Sequence, residues 1–112
     1  MTTKTVADLV FDNLGQTGLT TTIWHRTNDV IPAIARAQRA MRIDHPDAFI
    51  ATAGTFTEIT TDPTVDGSAL YVDEDWAERL AALATARLLL LKYSDKENVD
   101  KAQMWLAVYA AT

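Results

Sequence analysis

Four carboxylates form the densest group of chemically capable side chains in the sequence: Asp73, Glu74, Asp75 and Glu78. Carboxylates that lie close together can share a proton in acid–base catalysis or bind a divalent cation. Carboxylates in the first turn of a helix are also stabilised there by capping and by the positive end of the helix dipole. Because a helical pattern begins directly after Asp73, the sequence favours this structural role over a catalytic one.

The two histidines, His25 and His45, are twenty residues apart and lack the i, i+4 or short paired spacings of zinc ligands. We interpret both as residues at helix boundaries or on the surface. The turn at 15–18 has neither the preceding strand nor the lysine of a phosphate-binding loop. No arrangement of nucleophile, base and oxyanion donors can be assembled from these residues, so we expect no enzymatic activity, no cofactor and no metal.

The composition is that of one ordered domain covering 1–112, with 48% hydrophobic and 22% charged residues. The absence of cysteine excludes disulfides and thiolate chemistry. A net charge of -5 disfavours free-standing nucleic-acid binding, which draws its affinity from lysine and arginine. The longest apolar run, at 88–91, is far shorter than the ~20 residues of a membrane span. The N-terminus leads into an amphipathic segment with Asp8 and Asp12 and not into an apolar signal core. We therefore expect neither secretion nor membrane insertion.

Apolar spacing predicts four helices, at 6–14, 28–43, 73–93 and 95–110. Asp73 is the expected N-cap of the third helix. Ser94, with glutamate three residues later, is a capping box that opens the fourth helix. The third helix is apolar around most of its circumference, which predicts a central strut or a helix that partly faces another subunit.

The segment at about 49–72 changes to threonine, glycine and alternating apolar residues. Its runs at 56–59 and 69–72 are typical of short strands, and Asp66-Gly67 between them is a turn signal. The predicted fold class is therefore mainly α: a four-helix bundle-like domain with a short β-hairpin or extended arm inserted between helices two and three.

Four arginines are candidates for an interface. Arg36, Arg39 and Arg42 on the second helix form a solvated face or pair with the acidic middle of a neighbouring copy, which would orient head-to-tail assembly. The acidic middle consists of Glu58, Asp62, Asp66, Asp73, Glu74, Asp75 and Glu78. Arg87 lies on an apolar face of the third helix. Either its stem packs while the guanidinium reaches water, or it forms an ion pair with another subunit.

The three tryptophans and three tyrosines are many large aromatics for 112 residues. These side chains favour interfaces because one end is apolar and the other forms hydrogen bonds. We expect Trp76 in the core. Trp105 and Tyr109 are the stronger interface candidates, with Trp24 and Tyr71 beside them.

Short segments spread along the chain carry a resemblance to a known family. They are Thr5-Val6-Ala7-Asp8-Leu9, Trp24, Ala37-Gln38-Arg39-Ala40, Tyr71-Val72-Asp73, Asp95-Lys96-Glu97-Asn98 and Ala102. With the threonine-rich insertion, they resemble the head-to-tail connector, or adaptor, proteins of tailed bacteriophages. The resemblance covers nearly the whole chain and lies in helix order, helix length and scattered positions.

The resemblance implies a ring, commonly of about twelve copies, that lies below the portal protein and extends the DNA channel. Such a ring offers a platform to a stopper or tail protein. It implies a place in the virion neck after assembly in the host bacterial cytoplasm, and a portal-docking role for Trp105, Leu106 and Tyr109. An acidic channel lining would let DNA slide through without sequence-specific binding.

Two other functions stay open. A tail-completion or neck protein of similar size has the same helix count. A helical DNA-binding regulator is suggested by the arginines of the second helix, although the net acidity argues against it.

Overall fold

The computed structural model describes residues 1–16, 24–49, 54, 56–92 and 96–111. Its four helices are α1 (Thr3–Gln16), α2 (Ile31–Asp44), α3 (Ala77–Lys92) and α4 (Lys96–Ala110). A π-helical turn, Arg26–Val30, leads into α2, and 3-10 turns follow α2 at Pro46–Phe49 and precede α3 at Glu74–Trp76. The prediction of a mainly helical, four-helix domain is confirmed.

Helix α3 is the central element, since α1, α2 and α4 all pack against it. Its alanines Ala81 and Ala84 are fully buried and let neighbouring helices approach closely, while Leu80 and Leu89 fill the core between them. The nearly all-round apolar pattern of this helix is explained by burial on three sides. The prediction of a central strut is confirmed.

The predicted β-hairpin is wrong. Within the described residues there is no strand, and Ala69 forms an antiparallel bridge with Thr2 and not with the other run of the insertion. The Leu70 N–H donates to Met1 O at 3.0 Å, and the Thr3 N–H donates to Ser68 O at 2.9 Å. Leu70 of the second expected strand, and Ser68 just before it, therefore bond to the N-terminus, and the Tyr71 N–H donates to Gln38 Oε1 at 2.7 Å.

The first expected strand, 56–59, is held by α2 and by the turn that follows it. Arg42 Nε donates to Thr57 O at 3.0 Å, and the Thr57 N–H donates to Phe49 O at 2.6 Å. Farther along the segment, Pro63 is buried, and Leu70 is buried in the core. The described part of the segment, 56–72, therefore has contacts with the helices at these residues.

The predicted cap is found one turn before α3: Asp73 caps the 3-10 turn that leads into this helix, and its carboxylate accepts a 3.2 Å hydrogen bond from the Asp75 N–H. Glu74 and Asp75 occupy the first turn as predicted. The predicted capping box at Ser94 lies outside the described residues.

Candidate protein interaction surfaces

An apolar groove lies where α2, α3 and α4 meet, and it encloses about 420 Å³. We call it the basic groove, because two arginines flank its apolar floor. Arg36 comes from α2 and Arg87 from α3, and both side chains are exposed. The groove is lined by Ala33, Arg36, Leu83, Ala86, Arg87, Leu90 and Leu106.

Arg36 and Arg87 differ from the other four arginines of the chain. Neither forms a hydrogen bond or an ion pair with any residue that the structure describes. The other four all bond to acceptors in the same chain: Arg26, Arg39, Arg42 and Arg79. The unpaired positive charge of the described arginines is thus concentrated at one apolar groove.

Arg39 and Arg42 meet the acidic middle of their own chain. Arg39 Nε lies 2.7 Å from Asp62 Oδ1, and Arg42 Nη2 lies 2.7 Å from Glu58 Oε1. The Arg42 guanidinium also lies 5.3 Å from the centre of the Phe56 ring. These contacts account for both arginines within one copy, and their role between copies stays a prediction.

A second groove, of about 260 Å³, lies where α1, α3 and α4 meet. We call it the acidic groove, because Asp12 of α1 and Glu78 of α3 line it and are exposed. Neither carboxylate forms an ion pair or a hydrogen bond within the described part of the chain. The groove is lined by Leu9, Asp12, Asn13, Glu78, Ala81, Trp105 and Val108.

The Trp105 side chain is buried in the wall of the acidic groove. Only 8% of the residue is exposed, and its Nε1–H has no hydrogen-bond partner among the described residues. A buried donor without an acceptor is costly in a folded protein. The wall of this groove therefore contains a buried donor and two exposed carboxylates that have no partner among the described residues.

The aromatic cluster consists of Asp44, His45, Trp76, Arg79 and Tyr109, and it joins α2, α3 and α4. The Arg79 guanidinium lies 4.3 Å from the centre of the Trp76 ring, and its Nε donates to Tyr109 O at 2.9 Å. The His45 ring contacts both Trp76 and Tyr109, with 5.3 Å between ring centres. Burial, and then the hydrogen bond to Asp44, raises the pKa of Tyr109 well above its ordinary value.

Arg26 links α1 to the turn at 65–68. Its guanidinium bonds to Asp8, and its Nε lies 2.7 Å from Asp66 Oδ1. Hydrogen bonds from Lys4, and then from Arg26, lower the pKa of Asp8 below its ordinary value. This link was missed in the sequence because its partners are 18 and 40 residues from Arg26.

The aromatic interface candidates fall into two groups. Trp24, Trp105 and Tyr109 are buried in the core, and Tyr71 is the candidate outside it. Trp76, which was expected in the core and was not an interface candidate, is half-buried. Tyr71 is half-buried, and its hydroxyl lies 2.7 Å from Thr60 Oγ1. Hydrogen bonds from the Thr60 and Thr61 hydroxyls lower the pKa of Tyr71.

Packing within one copy thus accounts for the burial of these tryptophans and of Tyr109. Leu106, by contrast, is half-buried and lines the basic groove. The expectation that these residues form interfaces stays a prediction.

Comparison with protein-family models, curated proteins and solved structures found no match to this chain. Among the described residues, no group of histidine and acidic side chains is arranged to hold a metal ion. Within the same part of the chain, every helix is too short or too polar to span a bilayer.

Proposed function

We propose that this chain is a structural virion protein, a head-to-tail adaptor that forms a ring below the portal and extends the DNA channel in the neck. The pair of grooves beside α4 carries the proposal. Arginines at one groove and carboxylates at the other have no partner within the described residues. Side chains of this kind gain their partners when another protein docks.

Charge on the exposed turn before α3 supports a place beside DNA. Asp73, Glu74 and Asp75 are all exposed there. An acidic surface repels a phosphate backbone, so a ring with such turns toward its channel lets DNA pass without gripping it. We include this channel-lining role in the proposed function.

The test is cross-linking mass spectrometry on intact particles of the phage that encodes the chain. The lysines Lys4, Lys92, Lys96 and Lys101 provide reactive sites. Cross-links to the portal protein and between copies of this chain are the expected result. Absence of the chain from purified particles would contradict the proposal.

A tail-completion or neck protein is the second candidate, and the same grooves favour it, since either protein works by docking. The cross-linking experiment separates the two, because a tail-completion protein would link to tail proteins and not to the portal.

A DNA-binding regulator has less support. Two of its three candidate arginines, Arg39 and Arg42, are engaged by Asp62 and Glu58. These two guanidinium groups could bind DNA phosphates only after their ion pairs with Asp62 and Glu58 are broken. Salt-sensitive binding of the purified protein to duplex DNA would favour the regulator over the adaptor.

A further inference from the structure

The two grooves lie on different sides of α4. Leu106 lines the basic groove, whereas Val108 lines the acidic groove. Two residues along a helix correspond to a rotation of roughly 200°, so these side chains leave α4 in nearly opposite directions. A copy of this chain therefore presents the basic groove on one flank and the acidic groove on the other.

The flanks are complementary in charge. Arg36 and Arg87 bring to the basic groove two positive charges, and Asp12 and Glu78 bring to the acidic groove two negative charges, that have no partner among the described residues. Opposite charges without partners on two flanks of one molecule favour contact between copies, because each flank neutralises the other.

The flanks are also complementary in their apolar parts. Met104 and Val108 lie one helical turn apart on α4 and are 53% and 43% exposed. The floor of the basic groove is formed by Leu83, Leu90 and Leu106. A groove with an apolar floor fits a pair of apolar side chains from a neighbouring helix.

We propose that the acidic flank of one copy docks into the basic groove of the next. Met104 and Val108 then cover the apolar floor, and Asp12 and Glu78 meet Arg36 and Arg87. The contact joins two different surfaces, so it propagates from copy to copy and closes into a ring when the rotation per copy allows. This inference rests on the proposed function, because it names the contact that builds the adaptor ring.

The first experiment uses the absence of cysteine from the natural chain. Two single-cysteine variants, Leu90→Cys and Met104→Cys, are mixed at high protein concentration and treated with a short bismaleimide. The contact places these positions at one interface, so we expect a covalent heterodimer in the mixture and only monomer from either variant alone. The matched control replaces Leu90→Cys with Val65→Cys, a residue that is 57% exposed and outside both grooves.

The second experiment reverses the charges. The Arg36→Glu, Arg87→Glu double variant and the Asp12→Arg, Glu78→Arg double variant each lose one functional flank. We expect each to self-associate roughly 100-fold more weakly than the natural chain in sedimentation velocity. Mixing the two should restore assembly with the variants in alternation, because the natural flanks pair at one contact and the reversed flanks pair at the next. Combining all four changes in one chain should restore assembly as well. Asp100→Arg is the control, since Asp100 is exposed on α4 and lines neither groove.

Circular dichroism establishes that each variant folds, which the exposure of all four charged side chains leads us to expect. Monomer alone in the Leu90→Cys and Met104→Cys mixture would overturn the inference, as would equal products from the Val65→Cys control. A basic groove that cross-links in particles to the portal instead of a second copy would also overturn it. In that case the proposed function would stand and only the contact between copies would be wrong. If the cysteine variants cross-link but the chain is absent from particles, the contact would stand and the proposed function would be wrong.

Discussion

The Tyr109 hydroxyl donates a 2.9 Å hydrogen bond to the Asp44 carboxylate and so joins the last turn of α4 to the last residue of α2. The two residues are 65 positions apart in the chain. Tyr109 is buried, and Arg79 and His45 contact it from the other sides. This relationship fixes the ends of three helices relative to one another.

Replacing Tyr109 with phenylalanine should change how stability depends on alkaline pH. Burial raises the pKa of Tyr109 in the folded protein above the value of about 10 expected in the unfolded chain. A raised pKa contributes stability that is fully present below about pH 10 and is lost as pH rises further. Tyr109→Phe should therefore cost about 1 kcal/mol at neutral pH and reduce the loss above about pH 10.

Urea unfolding at neutral and alkaline pH measures both effects. Tyr71→Phe is the matched control, because hydrogen bonds lower the pKa of Tyr71 instead. An unchanged alkaline slope in Tyr109→Phe would show that the buried phenol does not titrate as the structure requires.

Arg26→Gln should destabilise the protein by about 1 kcal/mol, because the guanidinium joins Asp8 and Asp66 across two parts of the chain. Because the pKa of Asp8 is lower in the folded protein than in the unfolded chain, its ionised carboxylate stabilises the fold at pH values above the unfolded-state pKa. This stability is lost as pH falls through the folded-state pKa. Arg26→Gln should therefore also weaken the acid dependence of unfolding. Arg36→Gln is the control and should stay within about 0.5 kcal/mol, since Arg36 has no described partner. Equal effects of the two changes would contradict the bridging role.

Leu89→Ala should cost roughly 2–5 kcal/mol, because Leu89 is fully buried in the central helix and its loss leaves a cavity. The adjacent Leu90 is 40% exposed and lines the basic groove. Leu90→Ala should cost much less stability while weakening the contact between copies. Urea midpoints give the first comparison and sedimentation velocity the second; a reversed order of the two stabilities would refute the placement of α3.

The helices were predictable because their signals are local. Apolar spacing located all four, and the Asp73 cap depends on residues two positions apart. The hairpin prediction failed because the partner of the segment around Ala69 is the N-terminus at Thr2. Alternating apolar residues indicate an extended chain but carry no information about which distant segment pairs with it.

The candidate surfaces were predictable only in part, for the same reason. Sequence pattern singled out Arg36, Arg39, Arg42 and Arg87 without separating them. Folding separates them, because the segment at 56–62 brings Glu58 and Asp62 to Arg42 and Arg39, whereas Arg36 and Arg87 have no partner in the part of the chain that the structure describes. Arg79 was missed altogether, since its partners Trp76, Tyr109 and His45 come from three helix ends.

The proposed adaptor function is tested most directly by a cryo-electron microscopy reconstruction of the neck of intact particles. The result that we predict is a ring of this chain directly below the portal, with the basic groove of each copy against the acidic flank of the next. A neck whose density is filled by other proteins, with no position that fits α1 to α4, would contradict the assignment.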